Sequence, residues 1–202
     1  MTASKIVAAA ASGVGGGAGL DVNEVFSTFL YDGTGSAQTI TNNIDLSGEG
    51  GLVWTKERTS VGGLGWHSFY DTARGVSKYL SSNNTNAEAS SAGITAFNSN
   101  GFTLGDTGLV NQNTGDFVSW TWRKAKKFFD VVTYTGNFTA GKTVSHNLGS
   151  IPGMIIIKDT SNARNWIVYH RSIGEGKFLK LNDTGAEASN TYNFNNTAPT
   201  ST

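Results

Sequence analysis

The chain of 202 residues contains no cysteine and only two prolines. The lack of cysteine excludes disulfide bonds, thiolate metal sites and a cysteine nucleophile. Charged residues make up 15% of the sequence, and their signs cancel to a formal net charge of zero. We therefore expect no nucleic-acid partner, because such binding normally leaves a strongly basic surface. No apolar run approaches the ~20 residues that span a bilayer, so we also expect no membrane insertion.

What the chain does contain is typical of β structure rich in turns. It has 26 glycines and an aromatic content of 11%. Val118, Trp120 and Trp122 alternate with small polar residues, which predicts a strand with one apolar face. Met154–Ile157 is a continuous apolar run that suits a buried strand. These patterns predict an all-β fold, an antiparallel β-sandwich, with most of the tryptophans in its core.

An internal repeat of about one hundred residues organises the sequence. Lys78–Ser90 aligns with Lys177–Ser189 at a constant offset of 99, and eight of the 13 positions are identical. Gly51–Lys56 aligns with Gly153–Lys158 at an offset of 102. The small drift in offset is expected where loops differ in length between equivalent strands. The chain therefore contains two tandem units of the same fold.

The limits of the repeat predict the domain organisation. Trp66 aligns with Trp166 at an offset of 100. The chain divides into an extended Ala/Gly-rich N-terminal arm, a first β-sandwich unit and an incomplete second unit, residues 1–23, 24–127 and 128–202. The second unit has no counterpart of the strand at 117–123. We expect that strand to come either from sequence after Thr202 or from a partner chain.

One stretch matches the phosphate-binding P-loop pattern letter for letter. Gly136–Thr143 reads Gly-Asn-Phe-Thr-Ala-Gly-Lys-Thr. A P-loop requires a helix directly after the lysine, since the helix terminus faces the phosphates. Val144–Pro152 is unsuited to a helix of useful length. We therefore interpret the stretch as a hairpin loop and expect no nucleotide cofactor.

The titratable residues do not form a recognisable catalytic pattern. A glycosidase needs two carboxylates about 5 to 9 Å apart, but Glu88 and Glu187 are solitary, repeat-equivalent residues. His67, His146 and His170 lack the spacing of metal ligands. We therefore predict no catalytic residue, no cofactor and no metal site. The chain is not expected to be an enzyme.

Three residues are candidates for contact with a glycan. Trp66 and Trp166 each follow a loop of small and polar residues, so we expect an exposed ring edge at both. His67 is the direct neighbour of Trp66. Core packing remains the competing explanation for tryptophan in a sandwich.

Several stretches resemble a family of repeated structural domains from marine tailed bacteriophages, including cyanophages. They are Val25–Gly35, Ile44–Lys56, Tyr70–Gly75, Phe102–Gly105 and Val144–Lys158. The resemblance implies a concanavalin A-like lectin or jelly-roll fold and a location in the virion, usually the tail or a fibre. It supplies no catalytic residue.

The resemblance leads to a hypothesis about function. The chain would be a tail fibre or tail-associated protein that attaches to other virion proteins through apolar arm residues, Ile6, Val7, Val14 and Leu20. Its lectin-like units would serve host attachment, and we expect a homo-oligomer, a trimer as in many phage fibres. The alternative is a carbohydrate-binding module for host surface polysaccharide. A polysaccharide-degrading enzyme is the third hypothesis.

Overall fold

The computed structural model describes residues 2–8, 19–59, 61, 65–190 and 192–202, with residues 2–8 described as backbone only. The fold is all-β, and every strand pairing in these residues is antiparallel. No helix in the described ranges is long and apolar enough to cross a membrane. The elements in chain order are β1 (Thr2–Ala8), α1 (Val22–Val25), β2 (Phe26–Asp32), β3 (Gln38–Thr41), β4 (Gly51–Glu57), β5 (His67–Asp71), β6 (Lys78–Ser81), β7 (Ala89–Ser90), β8 (Ile94–Asn98), β9 (Gly101–Leu104), α2 (Gly108–Asn111), β10 (Asp116–Arg123), β11 (Phe129–Thr135), β12 (Met154–Asp159), β13 (Ile167–His170), β14 (Lys177–Lys180) and β15 (Ala188–Ser189).

The chain forms two compact units. Residues 19–81 and 88–124 belong to the first unit, and residues 2–8, 82–87 and 125–202 belong to the second. The sequence repeat places the junction three residues later, after residue 127. Residues 2–8, which the repeat assigns to an N-terminal arm, form a strand of the second unit.

The first unit is a two-layer sandwich. One sheet has the strand order β2-β10-β4-β5-β6-β7, and the other has the order β3-β9-β8. Apolar side chains from both sheets meet in one buried core, because alternate residues of each strand face inward. That core consists of Tyr31, Ile40, Ile44, Leu46, Val53, Tyr70, Ile94, Phe102, Leu104, Val110 and Phe117.

The sequence predicts that the tryptophan face of strand β10 points into the core, but the structure shows that the opposite face does. Phe117, Ser119 and Thr121 are fully buried and point to the core side. Trp120 and Trp122 therefore lie on the other face of the sheet, where they are half-buried. The prediction that most tryptophans fill the core is wrong here, because Phe117 fixes which face of the strand is internal.

The second unit is built on one sheet with the strand order β11-β1-β12-β13-β14-β15. Its buried cluster contains Leu148, Ile155 and Tyr169, with Ile157 and Phe194 packed against it. In the residues that the structure describes, no second sheet covers this cluster. The second unit therefore corresponds to the larger layer of the first.

The two six-stranded sheets correspond strand by strand. Strands β4 and β12, which contain the aligned Gly51–Lys56 and Met154–Lys158, occupy the same third position. In the first unit Lys78 pairs with Ser90, and in the second Lys177 pairs with Ser189. These are the ends of the best-aligned segment, so the tandem repeat in sequence is a repeat of one sheet.

Candidate functional site

Aromatic side chains cover the face of the first unit's larger sheet that points away from the core. They come from four neighbouring strands, β2, β10, β4 and β5, and each is half-buried. Strand register places them together, since Trp120 pairs with Trp54 and Trp122 pairs with Phe26 across neighbouring strands. We call this set the aromatic face, and it consists of Phe26, Trp54, His67, Trp120 and Trp122.

Trp54 is the centre of the aromatic face. Its ring centroid lies 5.1 Å from that of Trp120 and 6.1 Å from that of Trp122, with planes inclined by 57° and 24°. Phe26 extends the row, 5.2 Å from Trp122. On the β5 side, Phe69, which is fully buried, makes a T-shaped contact with Trp54 at a centroid distance of 4.7 Å. The rings therefore form one continuous apolar strip across the strands.

His67 gives this strip a polar group. The indole N–H of Trp54 donates a hydrogen bond of 2.8 Å to Nδ1 of His67. An imidazole that accepts at Nδ1 carries its proton at Nε2. Burial lowers the pKa of His67 below 6.5, and the positive charge of Lys56 lowers it further. The neutral form of His67 therefore dominates at neutral pH.

The two tryptophans predicted as glycan contacts differ in exposure. Trp66 is 39% exposed and lies directly before β5. Trp166 is fully buried, so the expectation of an exposed ring edge is wrong for this residue. Its backbone N–H donates a 2.8 Å hydrogen bond to Oδ1 of Asn182, which holds the residue at the start of β13.

The strand registers explain this difference. Val53 pairs with Tyr70, and the equivalent Ile155 pairs with Tyr169. The offset at this strand is therefore 99, and Trp166 takes the position of His67 rather than that of Trp66. A shift of one residue moves a side chain to the other face of a sheet. The sequence alignment of the two tryptophans was wrong by that one residue.

The proposed attachment residues fall in different places. Ile6 and Val7 lie in β1, where their backbone pairs with β11 on one side and β12 on the other. Leu20 is 48% exposed. Val14 lies outside the described residues.

Glu88 and Glu187, the carboxylates considered for catalysis, are held in ion pairs, and so is Asp71. Nε of Arg74 lies 2.6 Å from Oδ2 of Asp71, and both side chains are buried. The same guanidinium lies 3.3 Å from Oε2 of Glu88. In the second unit, Glu187 pairs with Lys177. These contacts occupy the carboxylate oxygens with cationic side chains, which suits a structural role.

The P-loop-like stretch has no helix after it. Residues 142–153 contain neither helix nor strand, so the helix terminus that would face a phosphate is missing from this described segment. His146 in this segment is buried and bonds through Nε2 to the carbonyl oxygen of Thr200 at 3.2 Å. Within the described residues, no group of three or more His, Cys, Asp or Glu side chains could hold a metal ion.

A groove of about 460 Å³ lies within the second unit. It is lined by Tyr134, Ile155 and Ile157 together with residues 136–144, 192–195 and 197–200. Ile155 is equivalent to Val53, which belongs to the core of the first unit. The groove therefore lies on the side of the sheet that the smaller layer covers in the first unit.

The fold defines an all-β protein built of two tandem sheet units, the first of which is a complete two-layer sandwich. The chain belongs to DUF7483, a domain family of unknown function, whose model matches residues 21–202. No curated protein and no solved structure matches the chain. The family match covers the repeat and leaves strand β1 outside it.

Proposed function

We propose that the chain is a structural protein of a phage particle, a tail fibre or tail-associated protein that presents lectin-like β-sandwich units to the host. The single observation that carries the proposal is strand β1, which completes the sheet of the second unit from the other end of the sequence. Strand addition of this kind joins subunits in assembled fibres such as pili.

Two further features support a structural role. The tandem sheets repeat one architecture, which suits a structural protein built from repeated modules. The buried charges of Asp71 and Arg74 hold a tight turn after β5 rather than face a substrate cleft. The proposal includes association with other virion proteins, a homo-oligomer such as a trimer, and no catalytic activity.

The location is tested on particles of the phage that encodes the chain. We expect the chain to stay with infectious particles through a density gradient, and gold-labelled antibody to mark the tail. Deletion of residues 2–8 should remove it from particles, whereas the exposed-site variant Tyr192→Ala should not. Absence of the chain from purified wild-type particles contradicts the proposal.

Glycan binding is a second candidate function, favoured by the aromatic face. Partly buried aromatic rings still offer apolar surface for the apolar faces of sugar rings, and indole N–H and imidazole groups add hydrogen bonds. The ring row around Trp54 extends across β2, β10 and β4, long enough for more than one sugar unit. The ligand would be a host surface polysaccharide.

Affinity measurements with host polysaccharides test this candidate. Trp120→Ala should weaken binding about tenfold or more, because a truncated tryptophan anchor typically removes more than 1 kcal/mol. Trp66→Ala tests the exposed tryptophan beside the face, and Tyr192→Ala is the control for an exposed aromatic of the second unit. Binding that survives Trp120→Ala at full strength excludes the aromatic face as the site.

A further inference from the structure

Strand β1 sits in the second unit in the same register that β10 has in the first. Phe117 pairs with Tyr31 on one side and Glu57 on the other. Ala3 pairs with Tyr134 and Asp159. Tyr134 is the repeat equivalent of Tyr31 at an offset of 103, and Asp159 that of Glu57 at an offset of 102. Both neighbours therefore identify Ala3 as the counterpart of Phe117.

The origin of this strand in the sequence differs between the units. In the first unit, β10 follows the rest of its sheet, and only residues 124–128 separate it from β11. In the second unit, β1 precedes its partner strands by more than one hundred residues. The family match begins at residue 21, so β1 lies outside the matched residues, whereas β11 and β12 lie within them.

Donation of β1 leaves the first unit intact. All pairings of β1 are with β11 and β12, and the sheets of the first unit contain only strands from β2 to β10. Pairing with the same strands in another molecule would form the same backbone hydrogen bonds, which is the physical basis of strand exchange between identical chains.

We propose that the slot between β11 and β12 is a donor-strand site for a second copy of this chain, filled by residues 2–8 of that copy. The contact is heterologous, since the N-terminal strand of one copy enters the second unit of the next. Such contacts link copies into rings or filaments. The inference stands on the strand register and does not depend on the virion role.

The complete lack of cysteine allows a direct crosslinking test. Ile6 pairs with Val131 in the structure. Directly opposite residues of antiparallel strands are close enough for a disulfide. Two full-length chains with different tags, one carrying Ile6→Cys and the other Val131→Cys, are refolded together and oxidised. We expect a reducible covalent dimer that contains both tags.

Two controls make every outcome informative. Ile6→Cys mixed with Tyr192→Cys measures random collision, because Tyr192 is 90% exposed. We expect at least fivefold more dimer from the matched pair than from this control. The chain with both Ile6→Cys and Val131→Cys reports donation within one molecule. If only this chain forms a disulfide, and the mixture of single variants does not, the proposal is overturned.

A second pair tests the other edge of the slot without any change at Val131. Val7 pairs with Ile155 across the other edge of the slot. The mixed variants Val7→Cys and Ile155→Cys should give the same two-tag dimer. Failure of both pairs to link, in mixtures and in double variants, shows that β1 does not occupy the slot and overturns the proposal. Absence of the chain from particles would refute the virion role alone.

Discussion

The side chain of Trp54 on β4 donates a hydrogen bond to the imidazole of His67 on β5, with 2.8 Å between Nε1 and Nδ1. This bond joins neighbouring strands on the aromatic face and leaves Nε2 of His67 as the donor of the ring. A protonated imidazole has no acceptor, so the bond exists only with neutral His67.

The first prediction concerns the pH dependence of this contact. Because the pKa of His67 is lowered in the fold, the unfolded chain binds more protons between that pKa and 6.5. The contribution of His67 to stability is therefore fully present above pH 6.5 and is lost as pH falls through the folded pKa. Thermal unfolding at a series of pH values should show this loss in the wild type.

The matched variant is His67→Gln, which keeps a side-chain acceptor but does not titrate. Its melting temperature should fall less between pH 7.5 and pH 5 than that of the wild type. Nuclear magnetic resonance of the imidazole should give a titration midpoint below 6.5 for His67. A midpoint at or above this value contradicts the prediction.

The second prediction concerns the buried ion pair of Asp71 and Arg74. The side chain of Arg74 is 3% exposed, and its Nη2 also donates a 3.0 Å hydrogen bond to the carbonyl oxygen of Phe69. Arg74→Met leaves the Asp71 carboxylate buried without its partner, and we expect a loss of about 3–5 kcal/mol in the free energy of unfolding. Chemical denaturation measures this loss.

An exposed ion pair is the control for Arg74→Met. Nε of Arg164 lies 3.2 Å from Oδ2 of Asp159, and the arginine side chain is 62% exposed. Solvent screens such a pair, so Arg164→Met should change the stability by only about 0–1 kcal/mol. Equal effects of the two substitutions would show that burial does not decide the contribution of Arg74.

Strands of the two units that have similar side chains could be matched from the sequence. A strand that is held only by main-chain pairing could not. The sequence predicts the equivalence of β4 and β12 because Gly51–Lys56 and Gly153–Lys158 share their apolar pattern. The sequence predicts an arm for residues 2–8 because β1 shares no residue with β10 at equivalent positions, as Ala3 and Phe117 illustrate. Main-chain pairing does not require similar side chains, so the equivalence of β1 and β10 cannot be recognised by sequence alignment.

The aromatic face could not be predicted from the sequence either, because the sequence does not show which face of β10 is internal. Alternation in β10 separates two faces but does not say which one is internal. The core accepts Ser119 and Thr121 because Phe117 supplies the large apolar group on that side. Only the tertiary position of Phe117 shows that Trp120 and Trp122 point away from the core.

The third prediction concerns a row of hydroxyl groups on the core side of the first unit. Ser119, Thr55 and Ser68 lie opposite one another on three adjacent strands, and each is fully buried. None of their hydroxyl oxygens has a hydrogen-bond partner among the described residues. Thr55→Val removes such a group with little change of shape, so we expect the stability to stay the same or rise by about 1 kcal/mol.

Thr121 supplies the contrast for Thr55→Val. Its hydroxyl oxygen accepts a 2.8 Å hydrogen bond from the buried side-chain amide of Asn42. Thr121→Val leaves that amide unpaired and should cost about 1–3 kcal/mol. The second unit already has Ile157 at the position of Thr55. Equal destabilisation by both valine variants, measured by chemical denaturation, would refute the prediction.

The fourth prediction concerns Lys158, which is fully buried at the end of β12. Its ammonium group donates hydrogen bonds to the carbonyl oxygens of Asp159, at 2.7 Å, and Asn162, at 3.1 Å. Burial lowers the pKa of Lys158 from 10.5 to about 8, and the nearby Asp159 carboxylate limits this shift. The folded state therefore binds fewer protons at this site than the unfolded state between pH 8 and 10.5.

The sign of the effect follows from this difference. Stability should increase as pH rises through that window, because the unfolded chain must release the proton that the folded chain has already lost. The increase at this site amounts to roughly 3 kcal/mol at most. Lys158→Met should abolish it, whereas Lys126→Met at an exposed position should leave it unchanged. Identical pH profiles of unfolding for the wild type and Lys158→Met would mean that Lys158 keeps an ordinary pKa in the fold.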